Sequence, residues 1–178
     1  MDTINKNQPE ENHLDLESSE AIDKIKGMVK TTKTCFFCTR STGGLSRGVR
    51  PMSVLQVDDA GTCWFLSAND SHKDMEIEAD GLVDLYFQGS AHSDFLHLEG
   101  VAEISEDKAK IKELWEPLLK TWFTEGVDDP RISVIKFVPH EGYYWDTKHG
   151  KAVAGVKMAV GAIIGKTLDD SIEGSIRL

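Results

Sequence analysis

Six runs of β-forming residues, most of them closed by a local turn signal, constrain this chain more than any other feature. Cys35–Thr39 is followed by Ser41-Thr-Gly-Gly44, the run from Gly48 to Val57 by Asp58-Asp-Ala-Gly61, and Thr62–Ser67 by the polar stretch Ala68–Lys73. Leu82–Gln88 and Phe95–Ile104 come next, separated by Gly89–Ser93, and Arg131–Tyr144 supplies a last long strand. Connections of hairpin length predict antiparallel pairing. Helical patterns fall between these runs. Ser18 or Ser19 caps a first helix to about Lys30, with Ala21, Ile22, Ile25, Met28 and Val29 on one face. A short helix ends at Ala79, and another region follows Ser105-Glu-Asp107 with Ile111, Leu114, Trp115, Leu118, Leu119 and Trp122 at helical spacing. A last helix is predicted over Val153–Ile164. Without a regular βαβ alternation, the pattern argues against a doubly wound sheet. It predicts a mainly β fold with flanking helices, an antiparallel barrel closed or nearly so.

The length of 178 residues suits one domain with a proper core. Residues 1–17 are acidic and rich in Asn and Gln, and read as a flexible leader; 18–166 make the barrel domain and 167–178 a polar C-terminal tail. Half of the net charge of −10 lies in the first twenty residues, where six carboxylates face Lys6 alone. An acidic balance repels polyphosphate backbones, so nucleic acid is not an expected partner, while isolated cations remain able to bind one small phosphate. The apolar stretch Val153–Ile164 is interrupted by Gly155, Lys157 and Gly161 and is too short to cross a bilayer. No secretory pattern opens the chain, and a cytoplasmic protein is expected.

Cys35 and Cys38 have the C-x-x-C spacing, but on a strand residues i and i+3 point to opposite faces, so they read as structural thiols. No histidine–carboxylate spacing suggests a metal, and Ser46, Ser53 and Ser67 lack a nucleophile-elbow context. Glu76, Glu78 and Asp80 read as a solvated helix face.

Three segments carry a more specific chemistry: Arg50-Pro-Met-Ser53, Trp64-Phe-Leu-Ser67 and Ser71-His-Lys73. A phosphate monoester needs a guanidinium fork, an ammonium and hydroxyl or backbone donors, and Arg50, Lys73 and Ser71 form that set. Pairing of the second and third strands is expected to bring them together, and a helix starting near Ser71 adds its N-terminal N–H groups. A flat aromatic ring system needs an apolar platform with main-chain donors and acceptors, which Met52, Ser53, Phe65, Leu66 and Ser67 offer. Pro51 lacks an N–H and suits an edge or bulge, where a neighbouring backbone group is free for a ligand.

These segments resemble the FMN-binding split barrel of the pyridoxamine 5′-phosphate oxidases and their relatives. Leu114-Trp-Glu-Pro-Leu-Leu-Lys-Thr-Trp-Phe123, Gly126-Val-Asp-Asp-Pro130 and Tyr143-Tyr-Trp-Asp146 are similar to the general stress protein 26 branch, and the resemblance covers about residues 19 to 166. It implies FMN as cofactor, with the phosphate on Arg50, Ser71 and Lys73, and His72 standing where the oxidases commonly have arginine. It also implies a ring lying against Met52, Ser53, Leu66 and Ser67, and a homodimer with flavin at the subunit interface, where Trp122 of the second subunit adjoins the ring. The departures are as informative. Leu55 stands where the oxidases place a lysine for substrate phosphate, no Arg-x-His pair follows Trp145, and the flavin-holding glutamine is replaced near Asp94-Phe95. The expectation is therefore a flavin binder, with FAD or a deazaflavin such as F420 as alternative cofactors. The function is either an FMN-dependent oxidoreductase using a small-molecule reductant or a non-catalytic flavin-binding or flavin-storing module, and no side chain is assigned as catalytic.

Overall fold

The computed structural model describes residues 11–40, 48–90, 93–149, 154, 156, 157 and 170–178. In chain order the elements are β1 (Leu16–Glu17), α1 (Ser18–Thr32), β2 (Thr34–Thr39), β3 (Gly48–Ser53), β4 (Gln56–Val57), β5 (Cys63–Ala68), α2 (His72–Ala79), β6 (Leu82–Gln88), β7 (Phe95–Ser105), α3 (Lys108–Leu114), β8 (Ile132–Thr147) and β9 (Ser171–Arg177). Two 3-10 turns, Pro117–Thr121 and Gly126–Asp128, separate α3 from β8.

All strands belong to one sheet, ordered β1-β9-β8-β7-β6-β2-β3, with β5 on the first half of β8 and β4 on β5. Every pairing is antiparallel except β1 with β9. Strand β8 is long enough to carry β5 along Ile132–Phe137 and β9 along Glu141–Thr147, so it forms the hinge of the curled sheet. Closure is incomplete. The Leu55 N–H donates to Trp64 O at 2.9 Å, but beyond that bond β3 and β5 share no ladder. Extended further, the register would set Ser53 opposite Ser67; instead the two strands part and leave a seam. The result is a split barrel.

Alternation decides the two faces of the sheet. Cys35, Phe37, Leu85, Leu98, Phe65, Phe137 and Tyr144 point inward, and Phe37 meets Phe65 edge-on at 5.4 Å. A second apolar cluster lies outside the seam, where Leu66 packs with Ile111, Leu114, Phe123, Ile132 and Val134. Cys35 is buried and Cys38 half-buried on the opposite face, and no disulfide forms.

Several expected boundaries move. The leader ends earlier than residue 17: His13 bridges Glu173, Leu16–Glu17 joins β9, and the Tyr144 hydroxyl donates to Leu14 O at 2.8 Å. Likewise the tail is not loose, because Ser171–Arg177 is a sheet strand. Ser18 and Ser19 lie inside α1, which starts after Glu17 without a side-chain cap. The run Gly48–Val57 is broken at Val54-Leu55 into β3 and β4, since the Val54 N–H is taken by Lys33 O at 2.8 Å. Only β4 pairs with β5, whereas β3 pairs with β2. The helical region after Asp107 stops at Leu114. Pro117 has no N–H to continue the ladder and starts a 3-10 turn, so Trp115 and Trp122 do not share one helix face. Residues 1–10, the turn at Ser41–Gly44, Ser46, His92 and most of Val153–Ile164 fall outside the described residues. No described helix is long and apolar enough to cross a membrane.

Candidate functional site

The seam opens into a cleft of about 530 Å³ lined by Pro51, Met52 and Ser53 of β3, Leu55 between β3 and β4, Leu66, Ser67 and Ala68 of β5, and Leu119, Trp122 and Phe123 from the turn after α3. That volume lies within the usual range for small-molecule sites. Its walls are mostly apolar, and none of these side chains is titratable. Trp122 stands at the rim, 63% exposed.

One end of the cleft is polar. Ser71 caps α2, accepting from the Asp74 N–H at 3.3 Å, and this places Lys73 and Asp74 on the helix face turned toward β5. The Lys73 ammonium donates to the Ser67 hydroxyl and, at 3.3 Å, to the Ser71 hydroxyl, with an Asp74 oxygen 3.5 Å away. Asp74 is buried and accepts from Ser67 at 2.6 Å, Ser71 at 2.9 Å and Ser133 at 2.5 Å. Burial pushes the Lys73 ammonium below its ordinary range, and the adjacent Asp74 carboxylate works against that shift.

Arg50 approaches from β3. It shares the inward register of Phe37, which turns its guanidinium over the top of the barrel to Glu76 on α2, Nη2 to Oε2 at 2.6 Å. The same Glu76 oxygen accepts from Thr39 Oγ1 at 2.5 Å. Burial raises the Glu76 carboxyl, but the hydrogen bonds from Thr39 and Arg50 and the Arg50 charge outweigh it, and the group lies below the usual carboxylate range. The backbone comes close at Gly48, where a Cβ would collide with Thr39 Oγ1, Arg50 Nη2 and Glu76 Oε2. Arg50 Nη1 is buried with no hydrogen-bond partner. A buried donor left unmatched is costly, so Arg50 Nη1 is available to a further acceptor.

The structure thus gathers Arg50, Ser71 and Lys73 at one end of a slot whose walls include Pro51, Met52, Ser53, Leu66, Ser67 and Trp122. Phe65 is the exception: it is fully buried on the inner face with Cys63, so alternation turns it away from the cleft. His72 is exposed at the first position of α2, where it makes no described bond to the cluster and acts only through its charge on Glu76. Glu76 is not part of a solvated face. Sequence reasoning missed Asp74, Glu76, Thr39 and Ser133. The Ser71-x-x-Asp74 capping spacing was a usable signal for Asp74, and the i+3 step from Lys73 was one for Glu76.

Fold and site together define a mostly antiparallel split barrel with a cluster of charged and hydroxyl groups at one end of an apolar cleft. The chain belongs to the pyridoxamine 5′-phosphate oxidase like family, which it matches over residues 20–169. It is 24% identical over 158 residues to protein bli-3 of Neurospora crassa, covering 83% of this chain and 75% of that one. A structure described as general stress protein 26 from Jannaschia sp. CCS1 superposes with a TM-score of 0.70 at 23% identity, covering 90% of this chain and all of the other (100%). The general stress FMN/FAD binding protein of Xanthomonas citri superposes at 0.60 with 22% identity, over 70% of this chain and 87% of the other. At such identities the structural likenesses establish the fold.

Proposed function

We propose that the seam binds a flavin phosphate, FMN in the first place, with the ring in the apolar cleft and the phosphate against Arg50, Ser71 and Lys73. One observation carries this reading: Ser67 lines the cleft and also accepts from Lys73, so slot and cation cluster are one continuous site. The orphaned Arg50 Nη1 supports it. FAD and F420 share the ring and phosphate chemistry, and the mass of the co-purifying cofactor distinguishes them.

A bound flavin supplies electron and hydride transfer. The chain's own residues would bind, orient and shield it: Arg50 and Lys73 would take the phosphate charge, Leu66, Leu119 and Phe123 would exclude water, and backbone groups on the facing, unpaired edges of β3 and β5 would be free for the ring. An FMN-dependent oxidoreductase fed by a small-molecule reductant fits this arrangement. A second reading, a flavin-binding or flavin-storing module without turnover, is favoured by the lack of any titratable side chain among the cleft's lining residues.

We further propose a homodimer. On the outer face Pro51, Phe36, Tyr86, His97 and Tyr143 are successive cross-strand neighbours. Phe36 is 56%, Tyr86 46% and Trp145 43% exposed, and the row starts at the cleft's own Pro51, so a second copy laid on it would also wall the site.

Titration with FMN tests the binding claim. Quenched flavin fluorescence and a raised melting temperature are expected, and a colourless protein indifferent to FMN refutes it. Arg50→Ala with Lys73→Ala should weaken FMN far more than riboflavin, and equal losses would refute the anchor. Bleaching of the bound flavin by NADH or NADPH separates the oxidoreductase from the storage module.

A further inference from the structure

The anchor carries more than cations. Arg50 and Lys73 are joined there by Asp74 and Glu76, so two positive and two negative groups share the cluster before any ligand arrives. A phosphate monoester brings nearly two further negative charges at neutral pH, its second pKa being about 6. Such a cluster offers the phosphate donors but no excess positive charge. Asp74 is enclosed, 2% exposed, and accepts from three hydroxyls. Glu76 is more open: its side chain is 23% exposed, and both of its described hydrogen bonds fall on one oxygen.

We propose that Glu76 is a counter-charge of the phosphate anchor that limits how tightly the site holds a dianionic phosphate at neutral pH. This rests on the flavin-phosphate reading of the seam. The groups facing Glu76 are few. From β3 comes Arg50 and from β2 the uncharged Thr39, while Arg40, the next residue, turns instead to Glu99 of β7 at 3.7 Å. From its own helix come His72, Lys73 and Asp74. Held by Thr39 and Arg50, Glu76 is ionised in the free protein. A dianion placed on the neighbouring Arg50 nitrogen is repelled by that charge.

The test compares FMN and riboflavin binding to wild type and Glu76→Gln by flavin fluorescence, well above the second phosphate pKa of about 6. At pH 7.5, Glu76→Gln is expected to bind FMN about tenfold more tightly, with riboflavin, which has no phosphate, changed less than about twofold. Riboflavin binding also reports that the variant is folded. Unchanged or weakened FMN binding, or equal tightening of both flavins, would overturn the role of Glu76 alone. Failure of both proteins to bind either flavin would overturn the reading of the seam, and this proposal with it.

Discussion

Replacing Asp74 by Asn tests whether a buried carboxylate holds the anchor together. Asp74 is 2% and Lys73 8% exposed, with their charges 3.5 Å apart, so neither is well solvated. Removing one partner of a buried pair costs about 3–5 kcal/mol, because the survivor keeps its desolvation penalty. The amide still accepts from one side, and the Ser67, Ser71 and Ser133 hydroxyls can reorient toward its NH2 group, which places the expected loss at the lower end, about 3 kcal/mol. Against a total stability of about 5–15 kcal/mol, this is a large shift in the urea midpoint, measurable by tryptophan fluorescence. The loss has a pH signature. Burial already lowers the Lys73 pKa, and without Asp74 it falls further. The folded protein then binds fewer protons than the unfolded chain between that lowered pKa and 10.5, so the stability of Asp74→Asn should rise with pH through that window. Adding Lys73→Met to the variant should recover most of the loss, because the uncompensated charge is gone. A cost below about 1 kcal/mol, or strictly additive effects in the double mutant, would refute this account of the cluster.

Asp170 should set an acid limit. Burial pushes it up, yet hydrogen bonds from His149 and Lys157 outweigh this and bring it down from 3.8 to about 2. Its stabilisation of about 2 kcal/mol is present above pH 4 and lost as pH falls toward 2, and Asp170→Asn should remove that difference in urea titrations at pH 5 and pH 2.5. Gly48→Ala, which drives a methyl group into Thr39, Arg50 and Glu76, should weaken FMN about tenfold and spare riboflavin; equal effects on both would argue against a shifted guanidinium. Phe36→Asp with Tyr86→Asp should convert a dimer to a monomer in light scattering, and a wild type that is already monomeric would remove the dimer from the account.

The strands were legible because most runs alternate and end in turn residues, and the nearness of Arg50, Ser71 and Lys73 was legible because they form a donor set that a phosphate would need. What escaped depends on contacts distant in sequence. Ser133 reaches Asp74 from β8, 59 residues away, and Thr39 reaches Glu76 from β2, so no local pattern could reveal either. Phe65 was misplaced for a different reason. The platform was read as a continuous segment, whereas strand parity sends Phe65 inward with Cys63 while Leu66 faces the cleft. Trp122 was assigned to a helix because its spacing from Ile111 and Leu114 fits one, but Pro117 breaks the ladder and leaves the indole on a 3-10 turn at the rim. The β1–β9 pairing joins two polar segments with little apolar patterning, so tertiary contact alone declares it.

The parting of β3 and β5 also bears on how the protein behaves without a ligand. An unladdered strand edge is a template for another chain's strand, and β3 ends its sheet with only Pro51 to blunt it. A molecule seated in the seam would occupy those backbone groups and cover the apolar walls beside them. Without such a molecule, the first consequence would be stickiness and strand exchange between copies.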